Sequence, residues 1–401
     1  MAESIVLIIN TGSSSIKMAL IHMPSEQLIA EGSAERLGES EALLRWKGVA
    51  EVQYALAGVT HFAAMQQMLD VLFQQVDRTT VSGVGHRVVH GGERFVRPTL
   101  LDVLVIAEIA SLSHLAPLHN PSNLLGIKAA MDQLPDIPHV AVFDTAFHHA
   151  MPLHASLYAV PYEWYSEYGV RRYGFHGTSH HYVSQQAARI LDLELEPCNL
   201  ITVHLGNGCS AAAVSDGVSV DTTMGMTPLE GLVMGTRSGD VDPGLHEYMA
   251  SQSGDSLAAI TDALNRKSGL LGLSGRSNDM RTLLDAAEAG DERAVLAIDL
   301  FCYRLVKSLA GLAAVLGHVD AIVFTGGIGE HAQQIRAKTV RQLAILGADI
   351  DTDRNARHGK LTDGFISKSE TALPVLVIAT NEETMIARYV HELLFSERGD
   401  S

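Results

Sequence analysis

Apolar residues follow two rhythms along this chain. Short unbroken runs rich in Ile and Val, at Ile5–Ile9, Val81–Val84, His139–Phe143, Leu200–Val203, Ala321–Phe324 and Pro374–Ile378, read as strands buried on both faces. Between them, Gln66–Val76, Pro121–Gln133, Ser179–Leu191, Ala294–Leu316 and Glu382–Phe395 read as helices. That alternation predicts an α/β protein.

One internal similarity organises the pattern. Val6–Leu20 can be laid over Leu200–Val214 with Gly12 opposite Gly206. Each copy reads as a strand, a tight turn of Gly and small polar residues, and a second strand of small residues. Two such hairpins half a chain apart suggest duplicated domains facing each other across a cleft, although unrelated hairpins can look alike. The boundary is placed near residue 150, giving domains 1–150 and 151–381, with the C-terminal helix 382–401 a candidate to pack back on the first.

Composition narrows the picture. A chain of 401 residues favours two domains, or three, at roughly 150 residues each. Hydrophobic residues at 47% supply material for two cores, and a formal charge of −17 argues against nucleic acid or an anionic membrane as partner. Anionic ligands remain open, because a phosphate site is built locally. The run Ile5–Ile9 is too short for a signal peptide or a membrane span. Cys198, Cys209 and Cys302 are scattered, as in reduced, buried thiols, so the chain reads as cytosolic.

Three turns carry the candidate chemistry. Asn10-Thr-Gly-Ser-Ser-Ser15, followed by Lys17, offers backbone N–H groups and hydroxyls without bulk, as a phosphate requires. His204-Leu-Gly-Asn-Gly-Cys-Ser210 has the same character. Thr325-Gly-Gly-Ile-Gly-Glu330 lies between a strand and a helix expected to begin near His331, where a phosphate or ribose would meet a helix N-terminus. Any one of these alone reads better as an ordinary turn. No G-x-x-x-x-G-K-[ST] is present. Gly206-x-Gly208-x-x-Ala211 imitates a dinucleotide fingerprint, but the residues after it read as a strand where that motif needs a helix, which leaves a dehydrogenase a weak alternative. His176, His180 and His181 have spacing compatible with zinc, without any supporting H-E-x-x-H or cysteine set.

Longer blocks now bear on the question. Asn10–Lys17, Gly85–Gly92, Phe143–His148, Arg172–His180, Met224–Gly231, Met234–Asp240, Gly326–Glu330 and Thr380–Glu383 all resemble the acetate kinase family, in the expected order over the whole chain. The resemblance implies two duplicated actin-like ATPase domains, of the ribonuclease H-like kind, with an active-site cleft between them. It implies magnesium-dependent transfer of a phosphoryl group from ATP to acetate, with manganese able to replace magnesium, and a homodimer. Propionate kinases are close kin, and a chaperone-like ATPase module of the wider superfamily is a further alternative.

The roles that follow are implied by that resemblance. Arg87 would bind the acceptor carboxylate and Arg237 the transferring phosphoryl, each through a planar guanidinium that donates two parallel hydrogen bonds. His176 would donate to the phosphoryl oxygens in the transition state. Asp144 would act as acid or base, or would orient Arg or metal-bound water. A carboxylate acceptor with a pKa of roughly 4 is already a nucleophile at neutral pH, which favours the orienting role. Asn10 and Glu382 would hold the metal. Lys17 and the backbone of His204, Leu205, Gly206, Asn207 and Gly208 would hold phosphates. Asp279, Met280, Arg281, Gly327, Ile328, Gly329, Glu330 and His331 would hold adenosine. Val89, Leu118, Phe175 and Pro228 would line the acceptor pocket, and His119 matches a further active-site histidine. Departures from the family pattern are Thr11 in place of the common Cys, Cys209 in place of Ala, His331 in place of Asn, and Gly275–Asn278.

Overall fold

The computed structural model describes residues 3–12, 14–56, 58–117, 119–194 and 196–395, and divides into two compact units. One runs from the N-terminus to Ala146 and takes the chain back from Asn381; the other is Phe147–Thr380.

The first unit is built on strands β1 (Ser4–Thr11), β2 (Ser15–Met23), β3 (Gln27–Glu35), β4 (Leu43–Lys47), β5 (Val52–Ala55), β6 (Val81–Val88), β7 (Thr99–Leu100) and β8 (His139–Phe143). They form one sheet in the order β5-β4-β3-β2-β1-β6-β8-β7. β1 runs antiparallel to β2 and parallel to β6, which is parallel to β8.

Side chains alternate across a strand, so β1 feeds two cores. Val6 and Ile8 join Ile386, Ala387 and Val390 of the helix Glu382–Phe395. Leu7 and Ile9 face the other way, onto Met65, Met68, Leu69 and Leu72 of the helix His61–Gln75 and Ala129 and Ala130 of the helix Asn120–Gln133. Each fully buried side chain of this kind contributes about 1.5–3 kcal/mol over its exposed state. Glycine in β6 permits the close approach of the C-terminal helix. A Cβ on Gly85 would lie 2.7 Å from Ile386 and 2.9 Å from Val390.

The second unit carries β9 (Asn199–Leu205), β10 (Cys209–Ser215), β11 (Val218–Thr222), β12 (Ala321–Thr325) and β13 (Val375–Val377), in the order β11-β10-β9-β12-β13. Leu200, Ala212, Val214, Ala321, Val323 and Leu376 pack with Val183 and Ala187 of the helix Gly177–Ile190. The same strand plan occurs twice. β3-β2-β1 and β11-β10-β9 are antiparallel, and in each sheet two parallel strands follow. The expected α/β class and the repeat are thus present in the topology, and Ser210–Val214 is a strand, which removes the dinucleotide fingerprint.

The helix expected near His331 begins at Gln333 and runs to Gln342. Not expected is that the glycine cluster before it forms a short helix of its own, Gly326–His331. Glycine is a poor helix former. Here side chains hold both ends: the helix's own Glu330 carboxylate accepts from the Gly326 N–H at 3.0 Å, and Arg336, from outside it, donates to the carbonyls of Gly329 and Glu330. No described helix is long and apolar enough to cross a membrane.

Candidate functional site

In the first unit the candidate residues gather at the strand ends. Asn10 and Lys17 are directly opposite one another on β1 and β2, beside the turn. Lys17 is exposed and Asn10 half-buried. Ser13 lies outside the described residues. Arg87, on β6, reaches the carboxylate that follows β8. Its Nε donates to Asp144 Oδ1 at 2.9 Å and its Nη2 to Oδ2 at 2.7 Å. Its Nη1 lies 3.7 Å from Glu382 Oε2.

This is a bidentate, largely buried pair. Burial alone would lower the Arg87 pKa, but the Asp144 and Glu382 carboxylates outweigh it and hold the group above its ordinary value. Burial pushes the Asp144 carboxyl up and the guanidinium pulls it back. At these distances the pair is a carboxylate on a permanent cation. Asp144 thus holds the Arg87 guanidinium in place through two hydrogen bonds.

Val89 is buried, and its N–H donates to Asn123 Oδ1 at 3.1 Å. Asn123 in turn donates to the Thr11 carbonyl at 2.7 Å, so one buried amide ties the end of β6 to the end of β1. A polar residue in an apolar helix pattern was the only sequence signal for it. His119 is the N-cap of the helix Asn120–Gln133. Leu118 lies outside the described residues.

In the second unit the chain before the helix Gly177–Ile190 is forced into unusual backbone. Gly174 has φ +75° and His176 φ +56°. Non-glycine residues seldom take that region, and strain of this kind tends to be kept where a side chain must be aimed. Phe175 is buried, with its carbonyl accepting from His148 Nε2 at 2.9 Å. The His176 ring stacks on that of His204 at 4.4 Å between centroids.

Between β9 and β10 the chain turns through Gly206, Asn207 and Gly208, closed by a Gly206 N–H to Gly208 carbonyl bond of 2.9 Å. A Cβ on Gly208 would stand 3.4 Å from both His176 Nε2 and Arg237 Nη1. Glycine thus keeps a small space open onto which both side chains face. Arg237 is half-buried and Nη1 donates to the Pro228 carbonyl at 3.0 Å. Among the described residues no carboxylate pairs with it, and burial lowers its pKa from the ordinary value. Burial also pushes the Cys209 thiol up to about 12, which makes that neighbour inert.

A cleft of about 560 Å³ opens beside this turn, within the size range of small-ligand sites. Gly206, Asn207, Asp279, Met280, Arg281, Gly327, Ile328 and His331 are among the residues that line it. His204, Leu205, Gly208, Gly329 and Glu330 are not among its lining. Glu330 turns inward, accepting from Gly326 and Thr380 N–H groups, and Gly329 is buried under Arg336. Asp279 caps the helix Met280–Glu288, its Oδ1 accepting from the Arg281 N–H at 2.7 Å.

Sequence reasoning missed Asn278, Gln333, Gln334 and His358 in the lining. It also missed Arg336, a fully buried guanidinium that donates to Asn355, to two helix carbonyls and to His358 Nδ1. Burial lowers its pKa to about 10, so it stays charged at neutral pH. Nothing in a lone Arg on a polar helix signals this. Among the described residues no three of His, Cys, Asp or Glu are grouped as a metal cage.

These features, two sheet-centred units and a glycine turn beside a nucleotide-sized cleft, have known counterparts. The Acetokinase family model matches residues 5–388, and the chain belongs to that family. It is 51% identical to the acetate kinase of Deinococcus deserti over 398 residues, 99% of each chain. It is 52% identical to that of Ectopseudomonas mendocina, over 95% of this chain and 97% of the relative. A solved propionate kinase from Francisella tularensis superposes with a TM-score of 0.93 at 42% identity, over 97% of this chain and 99% of its own. A Porphyromonas gingivalis acetate kinase superposes with a TM-score of 0.89 at 42% identity, over 98% and 100%.

Proposed function

We propose that this protein transfers the γ-phosphoryl group of ATP to acetate, giving acetyl phosphate and ADP, by direct in-line displacement and reversibly. The observation that carries the reading is Arg237: a half-buried guanidinium with no carboxylate of its own, facing the same small space as His176 beside a cleft of nucleotide size.

Phosphoryl transfer asks a protein mainly to align donor and acceptor and to neutralise charge on the moving group. Arg237 and His176 donate to the phosphoryl oxygens. The cleft from Gly206 to His331 holds the nucleoside, and Lys17 with the backbone of residues 204–208 holds phosphates. Arg87, fixed by Asp144, presents its remaining N–H groups to the acetate carboxylate. Val89, Phe175 and Pro228 would meet the methyl group on this reading.

Magnesium fits the donor set. It favours oxygen ligands, and with a nucleotide it takes only one or two of them from the protein, and Asn10 and Glu382 each carry a side-chain oxygen. Asn10 and Glu382 would hold it, and when bound it neutralises phosphate charge. Cytoplasmic location and a homodimer belong to the same reading. A single-chain mass by sedimentation would refute the dimer.

The identities to acetate kinases support acetate, and the propionate kinase neighbour marks the runner-up acceptor. A coupled assay of ADP release with acetate, propionate, butyrate or no acceptor tests the assignment. Turnover should require an acceptor and be fastest with acetate. Acceptor-independent ATPase, or propionate turning over fastest, would overturn it.

A further inference from the structure

Three buried side chains behind His176 are joined in a single run. His176 Nδ1 lies 2.8 Å from Ser210 Oγ, Ser210 Oγ lies 2.8 Å from His180 Nε2, and His180 Nδ1 lies 2.8 Å from Thr202 Oγ1. Ser210, His180 and Thr202 are each fully buried. His176 is the N-cap of the helix Gly177–Ile190 and His180 lies in its first turn, and both rings reach the same Ser210 hydroxyl. Burial, helped by the neighbouring histidines 148 and 204, drives the His180 pKa well below its ordinary value. That ring is therefore neutral, with one N–H and one acceptor nitrogen.

The hydrogens can run in only two directions. In one, Thr202 donates to His180 Nδ1, His180 Nε2–H donates to Ser210, and Ser210 donates to His176 Nδ1. Every hydroxyl hydrogen then has an acceptor. In the other, His176 Nδ1–H donates to Ser210, Ser210 to His180 Nε2, and His180 Nδ1–H to Thr202. The Thr202 hydroxyl must then donate onward, and among the described residues its oxygen has no other hydrogen-bond partner. A buried hydroxyl hydrogen left without an acceptor is disfavoured, so the first direction prevails.

We infer that Thr202, His180 and Ser210 act as positioning residues that fix His176 as the Nε2–H tautomer. The hydrogen is then on the nitrogen that faces the space above Gly208, beside Arg237. Ser210 fills the Nδ1 lone pair, so His176 offers a donor to an anion there without having to take up a proton. The inference rests on the proposed role of His176 in phosphoryl transfer, and it supplies what that role needs. The stacked His204 ring has its own hydroxyl partner, Ser179, and stands outside the run.

The test is nitrogen NMR of the full protein labelled with 15N-histidine, with the His176 signals identified by their loss in His176→Gln. In the parent, His176 should show a protonated Nε2 and an unprotonated Nδ1. Ser210→Ala and the isosteric Thr202→Val should both shift it towards a tautomer mixture. Both should lower kcat by about tenfold, the effect of one misdirected hydrogen bond, with KM for ATP unchanged. A parent His176 protonated at Nδ1, or a Thr202→Val variant with unaltered tautomer and kcat, overturns the inference. Failure of the functional reading looks different: His176→Gln would keep full kcat whatever its parent's tautomer.

Discussion

Each unit holds one arginine proposed to meet an anion, and the two are kept in opposite ways. Arg87 has its counter-ions built in, with Asp144 at 2.7 Å and Glu382 at 3.7 Å, and its pKa is held up. Among the described residues Arg237 has the Pro228 carbonyl and the Met234 sulfur as its hydrogen-bond partners, and burial pulls its pKa down. The first cation is neutralised in advance and serves orientation: it can receive a carboxylate weakly and let it go. The second carries an unanswered charge, and it gains most when negative charge accumulates beside it, as it does on a transferring phosphoryl group.

That contrast predicts where substitutions will act. Arg237→Ala should lower kcat by about a thousandfold with KM for ATP within a few-fold of the parent, because the interaction is made mainly in the transition state. Arg87→Ala should instead act mostly through KM for acetate. Equal effects of both variants on both constants would erase the distinction.

Asp144→Asn tests the built-in counter-ion. Breaking a buried pair from one side costs about 3–5 kcal/mol, so denaturant midpoints should fall clearly. Arg237→Met removes no such partner and should leave the midpoint nearly unchanged. An Asp144→Asn variant as stable as the parent would mean the pair contributes little.

Both units bury neutral histidines, His86 and His139 in the first and His148 and His180 in the second. Burial lowers all four pKa values, that of His148 to about 4. Since the unfolded chain takes up protons near pH 6.5 and the folded chain does not, stability is full above that pH. It declines as pH falls towards 4, by about 1.4 kcal/mol per pH unit for each such group at most. Denaturant midpoints measured from pH 7.5 to 5.5 should therefore fall, and His148→Gln should make the slope shallower. A flat profile in the parent would contradict the burial account.

The smallest effect is expected at Val89. Removing two methyl groups should raise kcat/KM for propionate relative to acetate by about tenfold. An unchanged ratio would place the acceptor wall elsewhere.

Much of this was legible in the residues. The two hairpins showed because a buried strand and a glycine turn leave a local signature, and the overlay of Gly12 on Gly206 matched turns that the strand order also pairs. His139–Phe143 and Glu382–Phe395 appear with the limits expected of them. β3, β4 and β5 were not visible, because they alternate buried with exposed residues and include Glu, Gly and Lys in place of an apolar run. The helix at Gly326–His331 was hidden because three of its six residues are glycine, a poor helix former, and its support comes from side-chain hydrogen bonds of Glu330 and of the distant Arg336. The partners of an arginine are equally invisible in sequence: Arg87 and Arg237 look alike until the fold supplies one with carboxylates and the other with a carbonyl.

The most direct trial of that last difference is chemical rescue. Arg237→Ala, assayed with acetate and ATP in guanidinium well below denaturing concentration, should recover part of its lost kcat in a saturable manner, the free cation taking the place of the missing side chain. Full parental kcat in the unrescued variant, or no recovery at any guanidinium concentration in a variant that is otherwise folded, would contradict the claim that Arg237 meets the transferring phosphoryl group.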